Sequence, residues 1–137
     1  MSDADLSTVT AIGRLLSDFA WYADRRDATA LSDLFLSDGV LCVAGKEFHG
    51  RPAILEDCRL RFLSERKTRH VWSNLRVGAA DGGTFRAEAV QMTYEQEQPE
   101  EPTELRINDL SDLVRRDEDG RWRFVRRVVS RQLRLSI

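Results

Sequence analysis

The sequence predicts an α+β fold in which helices cover one face of a curved antiparallel sheet. Apolar residues recur every three or four positions through the first third of the chain, which is the spacing of one helix face. From Thr68 onward they alternate with period two, and Asp-Gly turns separate the alternating runs, as in β-hairpins. Helices therefore come first and strands last. At 137 residues the chain has the size of one domain, which we expect to cover residues 1–137.

A long first helix is predicted to begin at Asp5 or Ser7, because either side chain can cap its N-terminus. It is expected to end near Arg25 and Arg26, whose positive charges suit the C-terminal end of a helix dipole. Its wide apolar face comprises Leu6, Val9, Ile12, Leu15, Leu16, Phe19, Tyr22 and Ala23.

Two shorter helices are predicted after it. Asp27 can cap one that carries Leu31, Leu34 and Phe35 on its apolar face. The segment Gly50-Arg51-Pro52 opens the other, because proline is well tolerated in the first turn of a helix.

The strands follow from the turn residues that separate them. Ser37-Asp38-Gly39 is expected to end the second helix before two short strands over 40–43 and 47–49. Four long strands then form an antiparallel meander, with turns at Asp81-Gly82-Gly83 and over 117–120. The acidic, proline-containing stretch 95–104 is predicted to be an exposed loop. The four long strands are expected over 69–77, 84–95, 104–116 and 121–135.

The composition excludes several classes of protein. Charged residues make up 32% of the chain, hydrophobic residues 42%, and the net charge is −2, which argues against a disordered tail or a strongly basic nucleic-acid binder. The many arginines near the C-terminus are not interleaved with aromatic residues that could stack on bases. We therefore expect no nucleic-acid partner.

Motifs for metals, cofactors and membranes are missing from the sequence. Cys42 and Cys58 lack CxxC spacing, and the two histidines form no HxH or HxxxH motif, so no metal is expected. There is no P-loop, GxGxxG or GxSxG, and no cofactor is expected. No signal peptide and no apolar run of about 20 residues is seen, so we expect a cytoplasmic protein without a membrane partner.

Ionisable residues among apolar ones are the best indication of a site. Asp24 lies at the edge of the apolar face of the first helix, one turn after Ala20, where it can also be an ordinary solvated residue. His70 is near the start of the first long strand, on the same face as Trp72 and Asn74. It can line a polar part of a pocket or be a structural histidine on a solvated face.

Three further charged residues occur inside predicted strands. Arg127 shares a face with Val125 and Val129, so its head can point inward or reach water from an apolar stem. Asp109 and Asp112 lie in the third long strand, where aspartate is disfavoured, and either can point into a cavity.

Five short motifs occur in an order that resembles the SnoaL-like branch of the nuclear transport factor 2-like superfamily, over about residues 5–135. The resemblance implies a cone-shaped barrel, in which a strongly bent, mostly antiparallel sheet wraps the long N-terminal helix, with two further helices and a pocket at the open end. The motifs are Tyr22-Ala-Asp-Arg-Arg-Asp27, Leu34-Phe35 with Asp38-Gly39, Phe48-His-Gly50, Arg69-His70 and Gly120-Arg-Trp-Arg-Phe-Val-Arg-Arg127.

Within that superfamily the pattern resembles the scytalone dehydratases and the hexachlorocyclohexane dehydrochlorinases, which use an Asp–His dyad without a cofactor. The resemblance implies that Asp24 and His70 are catalytic and that Arg127 lines the pocket. Homodimerisation is expected by the same analogy. The residues expected to bind the substrate are Arg127, Tyr94, Trp72, Phe19, Tyr22 and Asp109.

The sequence departs from both enzymes at the positions of their acidic groups. Ala23 stands where the dehydratase has a tyrosine, Phe19 where the dehydrochlorinase has a lysine, and the segment 91–94 has no histidine. Tyr94, Tyr22 or Asp109 can replace the missing acid. Val43 stands where ketosteroid isomerase has its base, which disfavours that chemistry.

Two functions follow from this pattern. The first is a cofactor-independent lyase, dehydratase or isomerase, in which His70 abstracts a proton from a small, mostly apolar or aromatic substrate and Asp24 assists it. The second is a non-catalytic member of the same fold that binds a small molecule or serves as an assembly module.

Overall fold

The long first helix, α1 (Leu6–Asp24), begins and ends close to where its sequence predicts. In the computed structural model, which describes residues 4–137, Asp5 is the N-cap and its Oδ1 accepts a hydrogen bond from the backbone N–H of Thr8 at 2.8 Å. The apolar face of α1 is buried against the sheet. None of the described helices has the length and apolar composition needed to cross a membrane.

The second helix, α2 (Ala28–Ser32), is shorter than predicted, and the placement of Leu34 and Phe35 in it is wrong. Phe35 instead opens the first strand, β1 (Phe35–Val43). The helix ends because the following residues join the sheet. The backbone N–H of Phe124 donates to the carbonyl of Leu34 at 2.8 Å, and Phe35 pairs with Phe124. A buried strand and a short helix can show the same apolar spacing.

The predicted break at Ser37-Asp38-Gly39 is also part of β1. The pairing register of the strand shifts between Phe35 and Val40, so these residues form a bulge and do not end an element. A Cβ atom at Gly39 would lie 3.0 Å from the carbonyl oxygens of Leu36 and Phe124, so only glycine fits this close approach.

The remaining strands and the third helix are confirmed, and the strand ends differ from the predicted ones by at most two residues. The predicted loop at 95–104 begins later than expected, because Glu95 is a buried residue of a strand. The elements are β2 (Lys46–His49), α3 (Arg51–Arg61), β3 (Lys67–Ala79), β4 (Phe85–Gln96), β5 (Glu104–Arg116) and β6 (Trp122–Ser136).

The six strands form one sheet in the order β2-β1-β6-β5-β4-β3. All neighbouring strands are antiparallel except β1 and β6, which are parallel. The sheet is open, with β2 and β3 at its two edges, and it curls around α1. Register shifts within β3 and between β5 and β6 allow this curvature, because a bulge bends a strand.

Phe19, Phe35 and Phe124 form an aromatic cluster at the centre of the core, with ring centroids 5.1–6.4 Å apart. This cluster fixes the middle of α1 on the sheet. The last turn of α1 is thereby held beside the start of β3, where the site described below is found.

Candidate active site

Asp24, the last residue of α1, and His70, near the start of β3, form a hydrogen-bonded pair. Nδ1 of His70 lies 2.5 Å from Oδ1 of Asp24. The backbone N–H of His70 donates to Oδ2 of Asp24 at 3.0 Å, and the hydroxyl of Thr68 donates to Oδ1 at 3.0 Å. One carboxylate therefore fixes both the backbone and the ring of His70.

The electrostatics of the pair determine which ring nitrogen of His70 carries the proton. Burial alone would raise the pKa of Asp24, but hydrogen bonds from the side chain and backbone of His70, the charge of His70 and the hydroxyl of Thr68 together hold it below its usual value. An ionised carboxylate can only accept, so Nδ1 of the neutral imidazole carries the hydrogen. Nε2 is left with a free lone pair, as a general base requires.

His70 lies between two concave surfaces. On one side it lines a cavity of about 260 Å³ inside the curled sheet. On the other side it lines a shallow groove over the C-terminal half of α1, together with Asp24, Trp21 and Trp72. The indole N–H of Trp72 donates to the hydroxyl of Ser17 at 3.0 Å, so Trp72 lies in this outer groove and not in the cavity.

The cavity has an apolar side and a polar side. Three buried polar residues of the inner sheet face, Gln91, Thr93 and Asn108, lie near His70: Thr93 pairs with His70 across β3 and β4, and Gln91 pairs with Asn108 across β4 and β5. The side-chain Nε2 of Gln91 is buried without a hydrogen-bond partner in the described chain. The apolar lining comprises Phe19, Ala23, Leu31, Val43, Phe62 and Val129.

A buried carboxylate, Glu95, belongs to the polar side as well. Its side chain is 2% exposed and lies 3.4 Å from Nη1 of Arg66 and 3.1 Å from Nη2 of Arg106. Burial and a hydrogen bond with Glu97 raise the pKa of Glu95, although both arginines oppose this. The cavity is therefore more polar than the sequence suggested.

The side chain of Arg127 points inward, which is one of the two orientations predicted for it, but it does not line the cavity. It is fully buried, and its Nε lies 3.2 Å from Oδ1 of Asp112, the inward-facing aspartate of β5. Its guanidinium lies 4.2 Å from the ring centre of Phe19 and 4.7 Å from that of Phe124. Burial raises the pKa of Asp112 to about 6, despite the opposing effect of Arg127.

Three other predicted binding residues also lie away from the cavity. Tyr94 is 39% exposed on the outer face of the sheet, and Asp109 is exposed on the same face, so neither can be the missing acid. Tyr22 packs against the core without lining the cavity. Among the predicted substrate-binding residues, only Phe19 lines the cavity.

The sequence interpretation missed Gln91, Thr93, Glu95, Arg66 and Arg106. A signal for the first three was present, because they continue the alternation of Ala87 and Ala89, whose side chains are buried. Within residues 4–137, no group of three or more His, Cys, Asp and Glu side chains is arranged to hold a metal ion.

Several solved structures resemble this fold closely. A protein from Novosphingobium aromaticivorans DSM 12444, described as a candidate scytalone dehydratase, is 22% identical, with a TM-score of 0.85 over 96% of this chain and 89% of that chain. A candidate aromatic ring hydroxylase from the same species is 21% identical, with a TM-score of 0.86 over 98% and 96%. A hexachlorocyclohexane dehydrochlorinase (LinA type 2) is 17% identical, with a TM-score of 0.85 over 96% and 90%.

These likenesses establish the fold alone. The sequence identities are low, and the three proteins are named for three different activities. No curated protein sequence shows significant similarity to this one. The family model for the SnoaL-like domain matches residues 4–128, which includes both members of the Asp24–His70 pair and nearly the whole curled sheet. The chain therefore belongs to the SnoaL-like domain family, within the nuclear transport factor 2-like superfamily.

Proposed function

We propose that the protein is a cofactor-independent lyase in which His70 is the general base and Asp24 its partner. The observation that carries the proposal is the 2.5 Å contact between Nδ1 of His70 and Oδ1 of Asp24 at the wall of a cavity. An ionised carboxylate on Nδ1 orients the ring and stabilises the imidazolium that forms when Nε2 takes a proton. A dehydratase and a dehydrochlorinase among the structural neighbours support the same class of reaction.

The proposed reaction is an elimination. Nε2 of His70 removes a proton from a carbon of the substrate, the electrons of that C–H bond form a carbon–carbon double bond, and a hydroxide or halide leaves the adjacent carbon with its bonding electrons. Side-chain amides of Gln91 and Asn108 are placed to donate hydrogen bonds to an oxygen that gains negative charge. An isomerase would use the same base and return the proton to a different carbon.

The second proton transfer needs an acid on the cavity wall. Glu95 is the carboxyl group that lines the cavity, and burial raises its pKa, which favours the protonated form needed by an acid. We propose that Glu95, and not Tyr94, Tyr22 or Asp109, takes the place of the missing acid. A leaving hydroxide protonated by Glu95 departs as water.

Variants of His70 and Asp24 test the role of His70 as the general base, with a variant of His49 as the control. Small cyclic β-hydroxyketones and chlorinated cyclohexanes are offered to the protein, and release of water or chloride is followed by NMR. We expect His70→Gln and Asp24→Asn to lower turnover by a factor of about 10²–10⁴, the usual contribution of a general base. His49→Gln is the matched control, because His49 is exposed and does not line the cavity. Unchanged turnover in His70→Gln would exclude the proposed base.

A non-catalytic binding protein is the second candidate, because Asp24 also has a structural role. Its Oδ2 holds the backbone of His70, so the pair joins α1 to β3 whether or not a reaction occurs. Under this alternative, a ligand of the cavity is recovered chemically unchanged after incubation. His70→Gln then changes its binding affinity without changing any rate.

A further inference from the structure

The ionisable side chains around the cavity are unequal in sign. Besides His70, the cavity is lined by four arginines, Arg26, Arg61, Arg66 and Arg106, and by a single acid, Glu95. The whole chain carries a net charge of −2. The positive charge at the cavity is therefore a local feature and not a consequence of a basic protein.

Three of these arginines have carboxylate partners. Arg61 donates to Asp57 at 2.9 Å through its Nε. Arg66 and Arg106 share the single buried carboxylate of Glu95, and both side chains are only about a quarter exposed. Nε of Arg106 is buried without a hydrogen-bond partner in the part of the chain that the structure describes. Arg106 also lies 3.6 Å from Glu104, but Glu104 is shared with Arg134, whose Nη2 is 2.6 Å away. Even in its ionised form, Glu95 carries one negative charge against the two positive charges of Arg66 and Arg106.

Arg26 differs from the other three, because it has no carboxylate partner among residues 4–137. Its guanidinium donates a hydrogen bond to the backbone carbonyl of Arg66, which also lines the cavity. The backbone of Arg26 is left-handed, with φ of 57°, which is uncommon for a residue other than glycine. The left-handed residue ends α1, because the backbone N–H of Asp27 then donates to the carbonyl of Tyr22 at 3.0 Å. The turn between α1 and α2 thus places at the cavity a guanidinium that has no carboxylate partner in the described chain.

The opposite wall of the cavity suits an apolar ring. This wall is lined by Phe19, Leu31, Phe62 and Val129. The cavity has a volume of about 260 Å³, which lies below the range of about 300–1,000 Å³ that is usual for the pockets of drug-sized ligands. A ligand of one ring would fill it.

We propose that the substrate of this protein is a small carboxylic acid, whose ring or short apolar body packs inside the cavity while its carboxylate binds Arg26 and Arg106 at the mouth. Guanidinium groups suit this role, since they donate paired hydrogen bonds in the plane of a carboxylate and stay charged at every relevant pH. This proposal specifies the substrate class of the proposed function. It rests on that function only because the same cavity is taken to hold the substrate.

Two probes of nearly equal size and shape test the charge requirement. Benzoate carries the carboxylate, and benzamide is its neutral counterpart. Binding of each to the full-length chain is measured by isothermal titration calorimetry and by shifts of backbone amide signals in NMR spectra. We expect benzoate to bind at least about tenfold more tightly, as a charge-assisted hydrogen bond allows, and to weaken as salt is raised.

Arginine variants locate the carboxylate. Arg26→Gln is expected to weaken benzoate about tenfold and to leave benzamide unchanged, whereas Arg26→Lys retains part of the preference. Arg106→Gln is expected to act in the same direction. Arg86→Gln is the matched control, because Arg86 is exposed on the outer face of β4 and loses the same charge far from the cavity.

The outcomes separate this proposal from the proposed reaction. Asp24→Asn is expected to retain the preference for benzoate, because binding of the carboxylate does not need the dyad. Equal affinities for benzoate and benzamide, or a preference that survives Arg26→Gln and Arg106→Gln, would overturn the carboxylic-acid substrate. Turnover of neutral substrates with a requirement for His70 would then still support the lyase.

Discussion

Asp24 connects the chemistry of the site with the stability of the fold at the scale of single residues. Its carboxylate accepts hydrogen bonds from Thr68 and from the ring and backbone of His70. These bonds exist in the folded protein only, and they favour the ionised carboxylate. The same interactions that would orient a base therefore make folding depend on pH.

The pKa of Asp24 is lower in the folded protein than its ordinary value of 3.8. Its carboxylate therefore contributes stability above that pH, and the contribution is lost as the pH falls through the lowered folded value. We expect Asp24→Asn to lower the free energy of unfolding at pH 7 by about 1–3 kcal/mol and to reduce the loss of stability in acid. Urea unfolding between pH 2 and pH 7 checks this, and parallel curves for both proteins would contradict it.

The buried pair of Arg127 and Asp112 has a different role. We expect Asp112→Leu to cost about 3–5 kcal/mol, because it leaves the fully buried guanidinium of Arg127 without a charge partner. The double variant Asp112→Leu/Arg127→Met removes both charges and is expected to recover most of that loss. Denaturant unfolding of the two single variants and the double variant measures the coupling. Additive losses would show that the pair does not interact.

The dependence of stability on pH gives an independent check on Asp112. Its folded pKa of about 6 lies above its ordinary value of 3.8, so the folded state takes up a proton more readily than the unfolded chain. The contribution of this group to stability therefore decreases as the pH rises from 3.8 to about 6, and is constant above that. Asp112→Asn is expected to remove this decrease.

At the scale of elements, two glycines illustrate opposite constraints. Gly13 lies in the middle of α1, and a Cβ there would be 3.5 Å from the ring of Trp72, an ordinary contact. We expect Gly13→Ala to stabilise the protein by about 0.5–1 kcal/mol, because alanine favours the helix. Gly39→Ala is expected to destabilise it by about 1–3 kcal/mol, because the Cβ would crowd two backbone carbonyls. Thermal unfolding that moved in the same direction for both would contradict this.

The long elements could be predicted from the sequence, and the junction between α2 and β1 could not. Periodicity identifies α1 and the four long strands, because each buries one face over many residues. The segment Leu34–Gly39 has too few residues to show a period, and its conformation depends on pairing with Phe124, which is distant in the sequence. Local preference cannot encode a contact of that kind.

The site was predictable only in part, for a related reason. Asp24 is at the edge of a helix face, and its contact with His70 arises from the way α1 crosses the sheet. Side chains on a strand alternate between its two faces, so an error of one residue moves a side chain to the opposite face. Tyr94 and Asp109 are each one residue away from inward-facing positions. The cavity arginines come from two connecting segments, the end of α3 and the start of β5, where no period applies.

At the scale of the whole molecule, the outer face of the sheet carries a continuous apolar patch. Cross-strand pairing joins Tyr94 to Leu105 and Leu135, and Met92 to Ile107 and Leu133. Tyr94, Leu133 and Leu135 are 39–57% exposed. An exposed patch of this kind, continuous over three strands, is typical of an interaction surface.

We propose that a second copy of the chain covers this patch in a homodimer. Analytical ultracentrifugation is expected to give twice the mass of one chain, and Leu133→Asp to give a monomer, because a charge on the patch would be buried at the interface. Leu60→Asp is the matched control, since Leu60 is equally exposed on α3, away from the patch. A monomeric protein, or a dimer that survives Leu133→Asp, would contradict the proposal.

In the proposed reaction, the position of His70 between the cavity and the outer groove has a consequence for the order of events. A molecule that fills the cavity covers one side of the ring, while the groove beside Asp24 remains open to bulk water. The dyad can then exchange its protons with solvent while a ligand is still bound. Under the proposed function, regeneration of the base and departure of the product are therefore separate events, and neither has to wait for the other.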